Sequence, residues 1–154
     1  MHYDLDFTTF YNQFYISSDG SQFMSADWDD EAYNDRLVIY INTLVVFTES
    51  YGHIQGELDI LESENTSIDY SLYDHIVEGG IKVNSGILQF LDCPNSSIEL
   101  TINLIPGTYR VRIYFSNMAG YDSDEEESND RTKIEIWPST SMERKVLKRF
   151  LRLY

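Results

Sequence analysis

A single cysteine, Cys93, leaves no partner for an internal disulfide, which suits a reducing compartment. Histidines are nearly as scarce. His2, His53 and His75 stand far apart, and none has a zinc-ligand spacing to another histidine or to Cys93. No apolar run approaches the roughly 20 residues of a membrane-spanning helix. The opening Met1-His2-Tyr3-Asp4-Leu5-Asp6 lacks both the basic start and the apolar stretch of a signal peptide, so a cytoplasmic location is expected. A nucleophile elbow, a phosphate-cradling glycine loop and a dinucleotide fingerprint are all missing, and no nucleophile–base pair stands out. An enzyme is therefore the least expected class, and no cofactor is expected.

Bases are scarce too: 11 Lys and Arg face 26 Asp and Glu, for a formal net charge of −15. They are also unevenly placed. Arg144, Lys145, Lys148, Arg149 and Arg152 crowd the C-terminal end, leaving residues 1–142 with six bases against 25 acids. Such a body repels nucleic acid and attracts cationic proteins, so neither a nucleic-acid nor a membrane partner is expected. Acidity also serves solubility alone.

What the chain does have is β-forming composition, with 12 Tyr, 8 Phe and many branched residues in 154 positions. Residues 4–8 and 13–17 read as short strands. Residues 37–48 form one apolar, β-branched run, bent or broken near Asn42-Thr43. Ile54, Leu58 and Ile60 alternate with polar residues, and Gly56 suggests a bulge. Gly79-Gly80 reads as the turn of a hairpin, or a bulge, within residues 75–83. Residues 97–104 and 109–115 alternate strictly around Pro106-Gly107 and predict an antiparallel pair. Ile134 and Ile136 mark a further strand ended by Trp137-Pro138. Thr140-Ser141-Met142-Glu143 has capping-box spacing. It predicts a basic amphipathic helix with Met142, Val146, Leu147, Phe150, Leu153 and Tyr154 near one face. The expected architecture is a mainly β, antiparallel β-sandwich of about 8–10 strands over residues 1–138. The C-terminal α-helix, residues 139–154, packs on the same domain and neutralises nearby acids.

Two acidic segments are candidate sites. Trp28 stands amid Asp27, Asp29, Asp30 and Glu31 with Tyr33 beside it, and Tyr121 precedes Asp122, Asp124, Glu125, Glu126 and Glu127. The spacing Asp122-x-Asp124-x-Glu126 suggests a calcium loop, but Glu127 stands where the tight turn needs glycine. No specific metal site is expected. Carboxylates flanked by aromatics do fit the groove of a protein that grips phosphate, which must expose Lys and Arg. The expected partner-binding residues are Trp28, Asp29, Asp30, Glu31, Tyr121, Asp124, Glu125, Glu126 and Glu127. Trp28 reads equally as a core residue, and residues 122–130 as a solvated loop. Cys93, beside Pro94, reads as a packed side chain.

Pro106-Gly107-Thr108-Tyr109-Arg110-Val111-Arg112, an acidic loop, and then Ile134-Glu135-Ile136-Trp137-Pro138 resemble a widespread group of immunity-like bacterial β-sandwich proteins. Asp74-His75-Ile76-Val77-Glu78 with residues 81–87 resembles their preceding strands. Tyr11-Asn12-Gln13-Phe14, Asp27-Trp28-x-Asp30-Glu31-Ala32 and Leu104-x-Pro106-Gly107-Thr108-Tyr109 are similar to the competence protein J family, inhibitors of a DNA-entry nuclease. The long acidic loop and the basic C-terminal segment depart from that family. The resemblance implies a sandwich fold and an inhibitor or immunity-type role against a basic nuclease or toxin. The alternatives are a structural or homo-oligomeric module and a calcium- or carbohydrate-binding sandwich.

Overall fold

The structure, a computed structural model, describes residues 1–18, 29–49, 52–118 and 129–151. Among these residues eleven strands and one short α-helix follow in order: β1 His2–Thr8, β2 Gln13–Ser18, α1 Asp30–Asp35, β3 Leu37–Tyr40, β4 Thr43–Phe47 and β5 His53–Ile60. Then come β6 His75–Val83, β7 Ile87–Leu91, β8 Ile98–Asn103, β9 Gly107–Ser116, β10 Arg131–Pro138 and β11 Lys145–Lys148. They form a six-stranded sheet, β1-β5-β10-β9-β6-β11, and a five-stranded sheet, β3-β4-β2-β7-β8. Every pairing is antiparallel except β5 with β10, which is parallel.

One buried cluster draws on both sheets. Leu58, Val111, Ile113 and Ile134 come from the six-stranded sheet, and Phe14, Ile16, Leu44 and Phe90 from the five-stranded one. Tyr15 joins a second cluster with Val45, Phe47, Leu91 and Cys93, capped by Ala32 of α1. Phe14 and Tyr15 take opposite faces because strand side chains alternate. The five-stranded sheet is thus apolar on both sides, and α1 covers part of the second side.

Several expectations change. The apolar run at residues 37–48 is two strands, β3 and β4, paired from Tyr40–Thr43 to Leu37–Val46 across a turn at Ile41 and Asn42. Strands β8 and β9 do not pair with one another. β8 pairs with β7, while β9 lies between β6 and β10, so the chain changes sheets at residues 104–106. Alternation reveals a buried face but not the neighbouring strand. Gly79 and Gly80 make no turn and sit within a continuous β6. A Cβ on Gly79 would meet Ile39 Cδ1 at 2.6 Å, and one on Gly80 would meet Ser141 O at 2.4 Å. Both glycines admit close neighbours on opposite faces. Gly56 likewise keeps the register, with Leu5 on one side and Thr132 on the other.

The expected C-terminal helix is absent among the described residues. Residues 145–148 form β11 along the edge of β6. An open sheet edge leaves backbone groups unpaired, and pairing them outweighs a modest helical preference. The capping-box residues turn to other partners: Met142 O accepts from Gly80 N–H at 3.3 Å, and Glu143 O accepts from Arg110 Nη1 at 2.5 Å. Val146 and Phe150 lie against the core, while Arg144 and Arg149 pair with Asp35.

Candidate protein-binding surface

Helix α1 carries the described part of the first candidate segment. Asp29 is its N-cap, and its Oδ1 accepts from Ala32 N–H at 2.7 Å. That bond satisfies one of the amides left open at a helix start. Asp30 and Glu31 follow in the first turn and are exposed. Tyr33 is also exposed, with its ring 5.2 Å from that of Phe47. Arg36 ends the helix in a left-handed conformation, φ 67°, and its backbone N–H bonds Tyr33 O at 3.1 Å.

The inner side of α1 is tied down by charge. The Asp35 side chain is 7% exposed and pairs with Arg144 Nε at 2.8 Å and Arg149 Nη2 at 2.5 Å. Its carbonyl accepts from His75 Nε2 at 2.9 Å. His75 Nδ1 in turn accepts from Phe150 N–H at 3.1 Å, which assigns the neutral Nε2–H tautomer. Burial lowers the pKa of His75 to about 4, assisted by the charges of Arg36 and Arg149. Arg36 binds Glu49 at 2.6 Å, and Asn12 Nδ2 donates to Glu49 O at 3.1 Å. Those two bonds link α1 to the β1–β2 turn, where Tyr11 and Asn12 are left-handed and Phe10 and Tyr11 face solvent.

The structure thus brings Asp29, Asp30 and Glu31 together on one short helix, with Asp29 engaged as a cap. Trp28, Tyr121, Asp124, Glu125, Glu126 and Glu127 lie outside the described residues. Cys93 is buried, and its Sγ accepts from Tyr15 OH and Gln13 Nε2, both at 3.3 Å. It is the packed side chain expected from the sequence. The Tyr15 phenol is pushed up to about 12, first by burial and then by its bond to Cys93.

Two features escaped the sequence reading. The first is a second acidic surface on β1 and β5. Asp4 stands directly opposite Glu57, and His2 opposite Asp59. Like charges in register repel. Here His2 lies among them, with Nδ1 2.7 Å from Asp59 and Nε2 3.6 Å from Asp4. Its pKa is raised, chiefly by the hydrogen bond to Asp59. His53 Nε2 is likewise 2.5 Å from Asp6. Among the described residues no grouping of three or more His, Cys, Asp and Glu side chains has the geometry to hold a metal ion. The alternation of Asp4 with Asp6 and of Glu57 with Asp59 was visible in the sequence, but the register joining them was not.

The second feature is a buried ionic network on β6, β9 and β10. Glu78 accepts from Arg110 Nε at 3.1 Å and from Arg112 Nε at 2.7 Å. Glu135 accepts from Tyr114 OH and from Asn65 Nδ2, the latter at 3.2 Å. The Arg112 guanidinium also stacks 4.7 Å above the Trp137 ring. These arginines are not an exposed basic stripe, because neighbouring strands place a carboxylate beside each.

No protein-family model matches the sequence, and no curated protein matches it. Two solved structures share the fold. One is ComJ from Bacillus subtilis, an inhibitor of the DNA-degrading activity of NucA. It is 17% identical, over 90% of this chain and 99% of that one, with a TM-score of 0.68. The other is described as crocagin biosynthetic gene J, 16% identical over 90% of this chain and 97% of that one, with a TM-score of 0.58. The likeness to the competence protein J family read from Tyr11-Asn12-Gln13-Phe14 and Leu104-x-Pro106-Gly107-Thr108-Tyr109 is thereby met in the fold.

Proposed function

We propose that this chain is an acidic inhibitor of the immunity type, which binds a basic nuclease or toxin in the cytoplasm and blocks its phosphate-binding groove. Its two sheets serve as a sandwich scaffold that holds carboxylates rigidly. The observation that carries this reading is the fold shared with a nuclease inhibitor over 99% of that inhibitor's length. The chemistry supports it. Asp30 and Glu31 are exposed beside the exposed ring of Tyr33, on a helix fixed from behind by Asp35. Carboxylates around an aromatic anchor steer a cationic protein and then exclude water from the contact. Trp28, Tyr121, Asp124, Glu125, Glu126 and Glu127 extend the same composition on either side in the sequence.

The test mixes the chain with NucA at equal concentrations and follows DNA degradation. Inhibition is expected, and Asp30→Lys with Glu31→Lys should slow association by about tenfold at low salt and flatten its salt dependence. Undiminished DNA degradation, by NucA and by any nuclease encoded beside this protein's own gene, would refute the reading.

A further inference from the structure

The buried carboxylate of Asp35 is where three distant parts of the chain meet. Its two oxygens take Arg144 and Arg149, its carbonyl takes His75, and His75 takes the backbone of Phe150. Arg144 reaches further on both sides. Its Nη1 donates to Leu37 O at 3.3 Å, just beyond the helix, and its Nη2 lies 4.0 Å from Glu31 Oε1, near the helix start. The Arg36 guanidinium lies 5.9 Å from the Phe150 ring. One segment, residues 144–150, therefore grips both ends of α1 and the strand after it.

A six-residue helix does not persist in water by its own hydrogen bonds, so its orientation must come from tertiary contacts. The apolar contacts of α1 are few. Ala32 reaches the second core cluster, and Tyr33 leans on Phe47 while staying exposed. The strongest contacts are the charge-assisted bonds to Asp35. We infer that residues 144–150 are the positioning element of α1: Arg144 and Arg149 fix the direction in which Asp30 and Glu31 are presented. For its functional consequence this rests on the inhibitor reading above; its structural half does not.

A rival arrangement would make these arginines stand-ins for the cationic partner, occupying Asp35 until displaced. The integration of the segment speaks against it. Val146 and Phe150 pack on the core, Lys145 to Lys148 pair with β6, and Lys148 Nζ holds Tyr70 O at 2.9 Å. A segment anchored at that many points is a fixed part of the fold.

Amide hydrogen exchange on the full chain tests the inference, comparing wild type with Arg144→Ala/Arg149→Ala and Arg144→Lys/Arg149→Lys. The alanine pair should raise exchange in α1 by about tenfold or more while β9 keeps its protection, and lysine should restore part of the loss. Association with NucA should slow in the same order. Unchanged protection of α1, an equal rise in β9, or faster association of the alanine pair with NucA would each overturn the inference. A loosened α1 in a protein whose wild type never binds NucA would confirm the positioning role and count against the inhibitor reading.

Discussion

Glu78→Ala is the most incisive perturbation of this fold, because a single carboxylate there serves two buried guanidinium groups. The Glu78 side chain is 8% exposed, that of Arg110 5% and that of Arg112 3%. Truncation leaves two charges with little water and without their main counter-ion. Arg110 keeps the carbonyls of Ser141 and Glu143, while Arg112 keeps Asn65 O, Tyr114 OH and the more distant carboxylates of Glu64 at 3.8 Å and Glu135 at 3.9 Å. Breaking a buried pair from one side costs about 3–5 kcal/mol. At about 2–4 °C per kcal/mol for a chain of this size, the midpoint of thermal unfolding should fall by roughly 6–20 °C. Urea unfolding, followed by tryptophan fluorescence and by circular dichroism, measures the loss directly. Replacing Glu78, Arg110 and Arg112 together by apolar residues of similar volume should cost far less than Glu78→Ala, since no charge is left stranded. A loss below about 1 kcal/mol for Glu78→Ala would refute the reasoning, because it would mean that water reaches both guanidiniums.

Two further perturbations test other parts of the structure. Burial lowers the pKa of His75 to about 4 in the folded state, against an ordinary value of about 6.5, so the folded state favours its neutral form. Its contribution is complete above about pH 6.5, declines as pH falls and is gone below about 4, on the order of 3 kcal/mol in all. His75→Asn should flatten the stability–pH profile in that window, and a profile as steep as the wild type's would count against the assignment. Gly56→Ala should separate β5 from β10, since the added Cβ would stand 1.7 Å from Thr132 O. Soluble expression and a wild-type melting curve for that variant would contradict the close approach.

Strand β1 was readable because its burial is one-sided, with Leu5 and Phe7 alternating with Asp4 and Asp6, whereas β2, with Phe14, Tyr15 and Ile16 all buried, was readable as an aromatic and branched run. Which strands neighbour one another was not readable, and the expected pairing of β8 with β9 failed on that account. The same gap hid the burial of Arg110 and Arg112. Each looks outward along β9, and only the register places Glu78 opposite Arg112 on β6 and Glu135 opposite it on β10. At the C-terminal end the spacing of Val146 and Phe150 suits a helix, yet the chain fills the edge of β6 instead. Of the candidate site, Asp29, Asp30 and Glu31 were legible as carboxylates flanked by the aromatics Trp28 and Tyr33. Asp35 was not, because its partners stand 109 and 114 positions further along the chain.

The parallel pairing of β5 with β10 sets an order on biosynthesis. β5 joins β1 on one side, but its other side stays open until the stretch facing it, residues 132–136, leaves the ribosome. At about 5–20 residues per second that wait lasts several seconds, with the backbone groups along that edge of β5 unpaired. A nascent chain stalled before β10 would expose an adhesive ribbon, and the cell must shield it or see it aggregate.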